Sequence, residues 1–185
     1  MVFYSKMSIK DKRVDKMLLL HNLTNTSIYY SPITIWFLTI FMVLGIVCPI
    51  FLLSFYSFFS KYYLLFLIYF VFGYIICAYL NNSIVLTKDA LIIINPNFPF
   101  KQFKTYLFDD IKQIIIDKTK YKWHYIFGIF SNNYIKIQNL DKTQVYFCVG
   151  LELETYDENF TNKTIDELNH ELKNKGISTI FNLDK

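Results

Sequence analysis

The sequence is poor in glycine, proline and cysteine, and a long part of it carries almost no charge. Its five glycines include no glycine-rich loop of the kind that binds phosphate groups. The three cysteines, Cys48, Cys77 and Cys148, have neither Cys-x-x-Cys nor Cys/His spacing, which argues against a disulfide scaffold and against a zinc site. We therefore expect small, buried, apolar cysteine side chains and no metal or other cofactor.

The charge-poor region lies between Met17 and Thr87, where Lys61 is the only charged residue. The chain is 54% hydrophobic and 19% aromatic, well above an average globular domain. Residues 33–57 and 62–80 are two apolar runs, long enough as helices to cross a bilayer core of about 30 Å. Neither run shows the polar face that recurs every 3.6 residues in a surface helix. The sequence therefore predicts a two-helix transmembrane hairpin over residues 31–80.

Lys61 and the aromatic residues around it predict how this hairpin lies. A lysine at the tip reaches the lipid headgroups, and Trp36 and Tyr79 fit the opposite interface, where aromatic rings are favoured. The basic tail, residues 1–30, then places both termini in the cytoplasm, which makes this a multi-pass protein of the inner (cytoplasmic) membrane. Because the spans hold no ionisable group at membrane depth, anchoring is expected rather than transport.

Residues 81–185 have the composition of an ordinary polar domain. Their 13 lysines face 13 acidic residues, and this balance argues against binding to a nucleic-acid backbone. Short runs of β-branched and aromatic residues, separated by turn-forming residues, predict seven strands. The predicted strands are Ser83–Thr87, Ala90–Asn95, Gln102–Phe108, Ile111–Lys118, Trp123–Phe130, Tyr134–Gln138 and Val145–Val149.

One amphipathic helix follows these strands. Thr164 and Glu167 form a capping box, Glu171 and Lys175 have the spacing of a helical ion pair, and Gly176 is placed to end the helix. The fold class predicted is an α+β membrane protein, with a transmembrane helical hairpin followed by a small antiparallel barrel or sandwich that a C-terminal helix closes.

Four segments carry a resemblance to a known family. They are SIVLTKDALIII after the second apolar run, YLFDDIKQIIIDK at residues 106–118, YIKIQNLDKTQVYF, and the terminal TIDELNHELKNKGI. In this order, behind a hairpin, they resemble the bacterial pleckstrin-homology-like membrane proteins. The resemblance implies a pleckstrin-homology-like fold for residues 81–185 and a non-enzymatic, membrane-associated role. It supplies no functional residues.

Candidate catalytic residues are sparse. Asp109 and Asp110 are adjacent, so on a strand they would point to opposite faces, and we expect them to cap a turn. His21, His124 and His170 are far apart and lack the spacing of metal ligands. An enzyme would need polar groups gathered in a pocket, for example around His124 and Asp117, and we expect no enzymatic activity.

A second membrane contact is predicted at residues 118–130, KTKYKWHYIFGIF. Lys118, Lys120 and Lys122 would lie near anionic headgroups, with Trp123 and Tyr125 at the interface. The alternative is an ordinary core strand with solvated lysines at its start.

The function expected from these features is a membrane-anchored, non-catalytic protein. Its cytoplasmic domain would bind another protein or the membrane surface, so the predicted partners are the lipid bilayer and an unidentified protein, without nucleic acid. The runner-up is an immunity protein that neutralises a membrane-directed toxin.

Overall fold

The computed structural model of the protein describes residues 11–24, 26, 28–30, 43, 45, 57–118, 133–148 and 158–182. Helices in these residues are α1 (Lys12–Leu20), α2 (Ser57–Leu80) and α3 (Glu158–Asn174). The strands are β1 (Ile28–Tyr30), β2 (Ser83–Leu86), β3 (Ala90–Asn95), β4 (Gln102–Leu107), β5 (Ile111–Lys118), β6 (Asn133–Asn139), β7 (Thr143–Phe147) and β8 (Thr179–Asn182). A short 3₁₀ helix, Phe108–Asp110, joins β4 to β5.

The strands form two four-stranded sheets. The first sheet has the order β1-β2-β3-β4 with antiparallel neighbours. The second has the order β7-β6-β5-β8, in which β8 runs parallel to β5. The inner faces of the two sheets and the apolar side of α3 share one core. Its largest fully buried members are Ile84, Leu86, Leu91, Ile93, Ile114, Ile116, Ile135 and Ile137.

Strands β2 and β3 of the first sheet are buried on both faces. Alternate residues of a strand point to opposite sides, and the outer-facing Val85, Ile92 and Ile94 pack against Val14 and Leu18 of α1. This double burial explains why Leu91–Ile94 is an unbroken apolar run and not an alternating one. Helix α1 is therefore a packed layer of the domain.

The predicted transmembrane hairpin is contradicted. In the part of the chain that the structure describes, no helix is long and apolar enough to cross a membrane. Apart from Val43, Gly45 and Ser57, the first predicted span lies outside the described residues.

The expected multi-pass location in the inner membrane rested on that hairpin and is not supported either. The prediction was wrong because composition alone does not distinguish an apolar residue that faces lipid from one that packs against protein. In the structure, Cys77 and Leu80 of α2 are buried, and they pack with Ile76 and Phe147 in a small protein cluster.

Other expectations of the fold class need smaller corrections. Six of the seven predicted strands are present with bounds within two residues, and the predicted strand at residues 123–130 lies outside the described residues. Helix α3 begins at Glu158, before the predicted capping box, and it does not end the fold, because β8 follows it and makes the second sheet mixed. Gly176 does end α3, with a φ of 76° that favours glycine.

Candidate docking site

One face of α2 exposes a row of large apolar side chains, which we call the α2 stripe. It consists of Leu65, Ile68, Phe72, Ile75 and Tyr79, which are 65%, 55%, 56%, 39% and 49% exposed. Their spacing of three and four residues in alternation keeps them on one side of a helix with 3.6 residues per turn. Large side chains in a continuous row are rarely left exposed without a binding role.

The described side chains on the opposite side of α2 include small, buried ones. Gly73, Cys77 and Ala78 have little or no exposed surface, and small side chains allow a helix to approach its neighbours closely. Burial raises the pKa of the Cys77 thiol to about 12, so this sulfur stays protonated and unreactive at neutral pH. The helix thus has one face committed to the domain and one that is open.

Asparagine side chains fix the last turn of α2 to the domain. Asn95 donates from Nδ2 to the carbonyl oxygen of Ala78 at 2.7 Å, and Asn82 donates to those of Tyr79 and Phe147 at 3.2 and 2.8 Å. The last carbonyl groups of a helix have no partner within the helix itself. These amides supply the missing donors and hold the stripe in a defined orientation.

The same network continues to α1, and we call this path the asparagine bridge. Asn97 donates to Oδ1 of Asn95 from its backbone nitrogen at 3.0 Å and from Nδ2 at 2.9 Å. Arg13 then donates to Oδ1 of Asn97 at 2.9 Å, and Asp11 binds the same guanidinium. The bridge therefore joins the start of α1 to the end of α2.

A pocket of about 360 Å³ lies at the end of the stripe, between the last turn of α2, the segment before β4, and strands β4 and β7. We call it the foot pocket. Its lining consists of Tyr79, Asn82, Pro99, Phe100, Lys101, Gln102, Lys104, Val145, Tyr146 and Phe147. Tyr79 belongs to both features, so the stripe leads directly into the pocket.

Aromatic and amide groups shape the foot pocket. The rings of Tyr79 and Phe100 meet edge to face with centroids 5.2 Å apart, and Phe147 lies 6.0 Å from Tyr79. Gln102 donates to Oδ1 of Asn82 at 2.7 Å, which ties the pocket wall to the amide that holds α2. The pocket therefore has an apolar side towards the helix and a polar side along β4.

Two lysines give the foot pocket a positive charge. Lys101 and Lys104 are exposed, and neither forms an ion pair with a carboxylate among the described residues. The ammonium of Lys104 lies 5.1 Å from the centroid of the Tyr146 ring, a cation–π distance. An anionic group entering this pocket would meet two available cations.

Tyr146 lines the pocket, and its hydroxyl group and that of Tyr106 are directed at each other and at Oε1 of Gln144. Burial is the main reason that the pKa of each tyrosine is raised above its ordinary value. Both hydroxyls are neutral at physiological pH, and in their mutual hydrogen bond one donates and the other accepts.

The predicted membrane-interface residues are not brought together by described contacts. Lys61 lies in α2 and Lys118 ends β5, but both side chains lie outside the described residues. Trp36, Lys120, Lys122, Trp123 and Tyr125 lie outside them altogether. Their role at a membrane surface stays a prediction.

The other candidates from the sequence are separate from one another. Asp109 and Asp110 are exposed in the 3₁₀ helix, which agrees with a turn. His21 stacks on Phe103 with ring centroids 3.8 Å apart, and His170 is exposed on α3. No group of three or more side chains placed to hold a metal ion occurs within the described ranges.

The expectation of buried cysteines is confirmed for Cys77 and Cys148, each 1% exposed. Cys48 lies outside the described residues. Burial also raises the pKa of the Cys148 thiol above its ordinary value, so neither of these two sulfurs is placed to act as a nucleophile.

Sequence reasoning missed the stripe and the foot pocket. In α2 the exposed and the buried sides are both apolar, so hydropathy alone does not separate them. The signal that could have done so is size, because Gly73, Cys77 and Ala78 are small and the stripe residues are large. The pocket depends on bringing β4, β7 and α2 together, which no local pattern shows.

Comparisons with protein-family models, with curated proteins and with solved structures found no match to this chain.

Proposed function

We propose that this protein is a non-catalytic interaction module that docks an apolar helix of another protein on the α2 stripe. The observation that carries the proposal is the row of five large apolar side chains, all at least 39% exposed, on a helix whose last turn is held by asparagine amides. A rigid, exposed apolar row is what a helix-binding surface requires.

The spacing of the stripe favours a helical occupant. Alternate steps of three and four residues are the pattern by which side chains of two packed helices interdigitate. From Leu65 to Tyr79 the stripe runs roughly 21 Å, so a partner helix of about four turns would cover it.

The absence of charge along the stripe restricts the partner further. Lys61 is the only charged residue of α2, and it precedes the stripe. An unpaired charge buried against this surface would be costly. The docked face of the partner is therefore apolar and free of charge along the length of the stripe.

The chemistry of the described residues supports a non-catalytic role. The buried thiols and tyrosine hydroxyls have raised pKa values and stay protonated, so none of them provides a nucleophile or a general base near neutral pH. No described residue specifically favours the immunity role, and we do not propose it.

The proposal is tested with a synthetic helical peptide that carries leucine and isoleucine at the same alternating spacing, bound to the full chain and followed by fluorescence anisotropy. We expect Phe72→Arg to weaken binding at least tenfold, because it removes a ring whose burial by the partner would be worth about 1.5–3 kcal/mol and places a charge in the interface. Leu140→Arg is the matched control, since Leu140 is 77% exposed in the turn between β6 and β7, and it should leave binding unchanged.

A parallel measurement with phosphatidylcholine vesicles separates a protein partner from lipid. Binding of the wild-type chain to the peptide, lost in Phe72→Arg, supports the proposal. Binding to vesicles without binding to the peptide would show that the stripe contacts lipid and would overturn it, as would equal peptide binding by both variants.

A further inference from the structure

Tyr79 is the last residue of the α2 stripe and also lines the foot pocket. A helix lying along the stripe therefore has one end over the pocket. The pocket differs in chemistry from the stripe, because it presents two ammonium groups where the stripe presents none. The end of the partner helix must suit that change.

We propose that the docked helix carries an acidic side chain at this end, and that its carboxylate binds in the foot pocket between Lys101 and Lys104. This inference rests on the proposed function and names the chemistry of its partner: an apolar helical segment bordered by aspartate or glutamate. The apolar part would give affinity, and the acid would set where and in which direction the helix lies.

The pairing of β3 with β4 shows where the polar side of the pocket lies. Gln102 and Lys104 are two residues apart on β4, so they point to the same face of the strand. Their partners on β3 are Asn95 and Ile93, and Ile93 faces the main core. Lys104 therefore lies on the inner side of the first sheet, at the edge where β7 of the second sheet faces it across the pocket.

The aromatic wall strengthens an ion pair formed here. Tyr79, Phe100 and Phe147 form an apolar wall on one side of the pocket, and the attraction between opposite charges is stronger beside apolar groups than in bulk water. Because the two ammonium groups have no carboxylate partner among the described residues, an incoming acid would not have to displace one.

The end of α2 opposes an anion only weakly. A helix C-terminus carries roughly half a negative charge, but here the carbonyl groups of Ala78 and Tyr79 already accept hydrogen bonds from Asn95 and Asn82. The two positive charges of the pocket lysines outweigh the partial negative charge that remains at this helix end. The net field in the pocket therefore attracts a carboxylate.

The inference is tested with three peptides that share one apolar repeat. One has a glutamate pair at its N-terminal end, one has the pair at its C-terminal end, and one has glutamines at both ends. We expect wild type to bind one of the two acidic peptides roughly fivefold more tightly than the glutamine peptide at low salt, as two partly screened ion pairs would give. The preference should shrink as salt increases.

Variants of the full chain assign this preference to the pocket. Lys101→Gln combined with Lys104→Gln should bind all three peptides alike, at the affinity wild type has for the glutamine peptide. The matched control is Lys112→Gln combined with Lys142→Gln, two exposed lysines that do not line the pocket, and it should keep the preference.

The outcomes separate this inference from the proposed function. Equal binding of all peptides by wild type overturns the acidic partner but leaves the stripe as a helix-binding surface. Loss of all peptide binding in Phe72→Arg, together with an unchanged preference for one acidic peptide in the control that combines Lys112→Gln and Lys142→Gln, supports both the inference and the proposed function. If the two pocket lysines govern binding to phosphatidylglycerol vesicles or to inorganic phosphate, and not to the acidic peptide, the pocket recognises phosphate and the inference is wrong.

Discussion

Asn95 has no exposed surface and uses both ends of its amide. Its nitrogen donates to Ala78 in α2, and its oxygen accepts two hydrogen bonds from Asn97. A buried polar group is costly unless it is paired, and here each end of the amide has a partner. One side chain thereby holds the stripe-bearing helix and the loop that begins the asparagine bridge.

We expect Asn95→Leu to lower the free energy of unfolding by about 3 kcal/mol, because it leaves the Ala78 carbonyl and the Asn97 donors without partners. Asn174→Leu is the control, since Asn174 is exposed near the end of α3 and should change stability by less than about 0.5 kcal/mol. Urea denaturation followed by circular dichroism measures both. Similar losses in the two variants would show that the bridge contributes little.

The sequence shows part of this arrangement. Asn95, Pro96 and Asn97 predict a turn, and β3 does end at Asn95. What they do not predict is the acceptor, because Ala78 is 17 residues earlier and reaches Asn95 only when α2 packs on the domain. Local turn chemistry is readable from the sequence, whereas a hydrogen bond between distant elements depends on the tertiary fold.

At the scale of elements, α1 shows how a short amphipathic segment becomes part of a core. Asp11 caps its N-terminus by accepting from the backbone nitrogen of Arg13 at 2.9 Å. Val14, Met17 and Leu18 lie on one side of the helix and pack against the outer face of the first sheet. The segment that composition marks as a basic tail therefore covers a hydrophobic surface.

We expect Leu18→Ala to lower the free energy of unfolding by about 2–5 kcal/mol, the usual range for a buried leucine. Leu19→Ala is a control with the same chemistry at the next position. Leu18 is 5% exposed and Leu19 is 62% exposed, so the control should cost less than about 0.5 kcal/mol. Chemical denaturation of the full chain measures the difference. Equal effects would mean that α1 does not pack as a layer of the domain.

The strands were largely predictable because their signals are local. Alternating β-branched residues separated by turn formers predict β2 to β7. The predicted strand at residues 123–130 lies outside the described residues. Burial on both sides was also present as a signal, since Leu91–Ile94 has no polar position. The sequence did not show that α1 supplies the cover, or that β8 pairs in parallel with β5, because both contacts join distant parts of the chain.

Across the described part of the molecule, five weak acids share one electrostatic property. Cys77, Cys148, Tyr106, Tyr134 and Tyr146 all have pKa values above their ordinary ones, and burial is the largest cause for each. Removing water disfavours the charged form of a group. Each of these groups therefore ionises less readily in the folded chain than in the unfolded one, and folding becomes sensitive to alkali.

The stability of the protein should consequently fall at high pH. For Cys77 the pKa rises from 9.0 to about 12 on folding, so its contribution is fully present below pH 9 and is lost as pH increases towards 12. In that window the unfolded state has released a proton that the folded state keeps, which lowers the free energy of unfolding by up to about 1.4 kcal/mol per pH unit for each such thiol.

We expect urea midpoints to be similar at pH 7 and 8 and to decrease from pH 9 to 11. Replacing Cys77 and Cys148 by alanine should make the decrease between pH 9 and 10 shallower, because the ionisation of tyrosine contributes mainly above pH 10. A wild-type midpoint that stays constant from pH 7 to 11 would contradict the burial of these groups in the folded state.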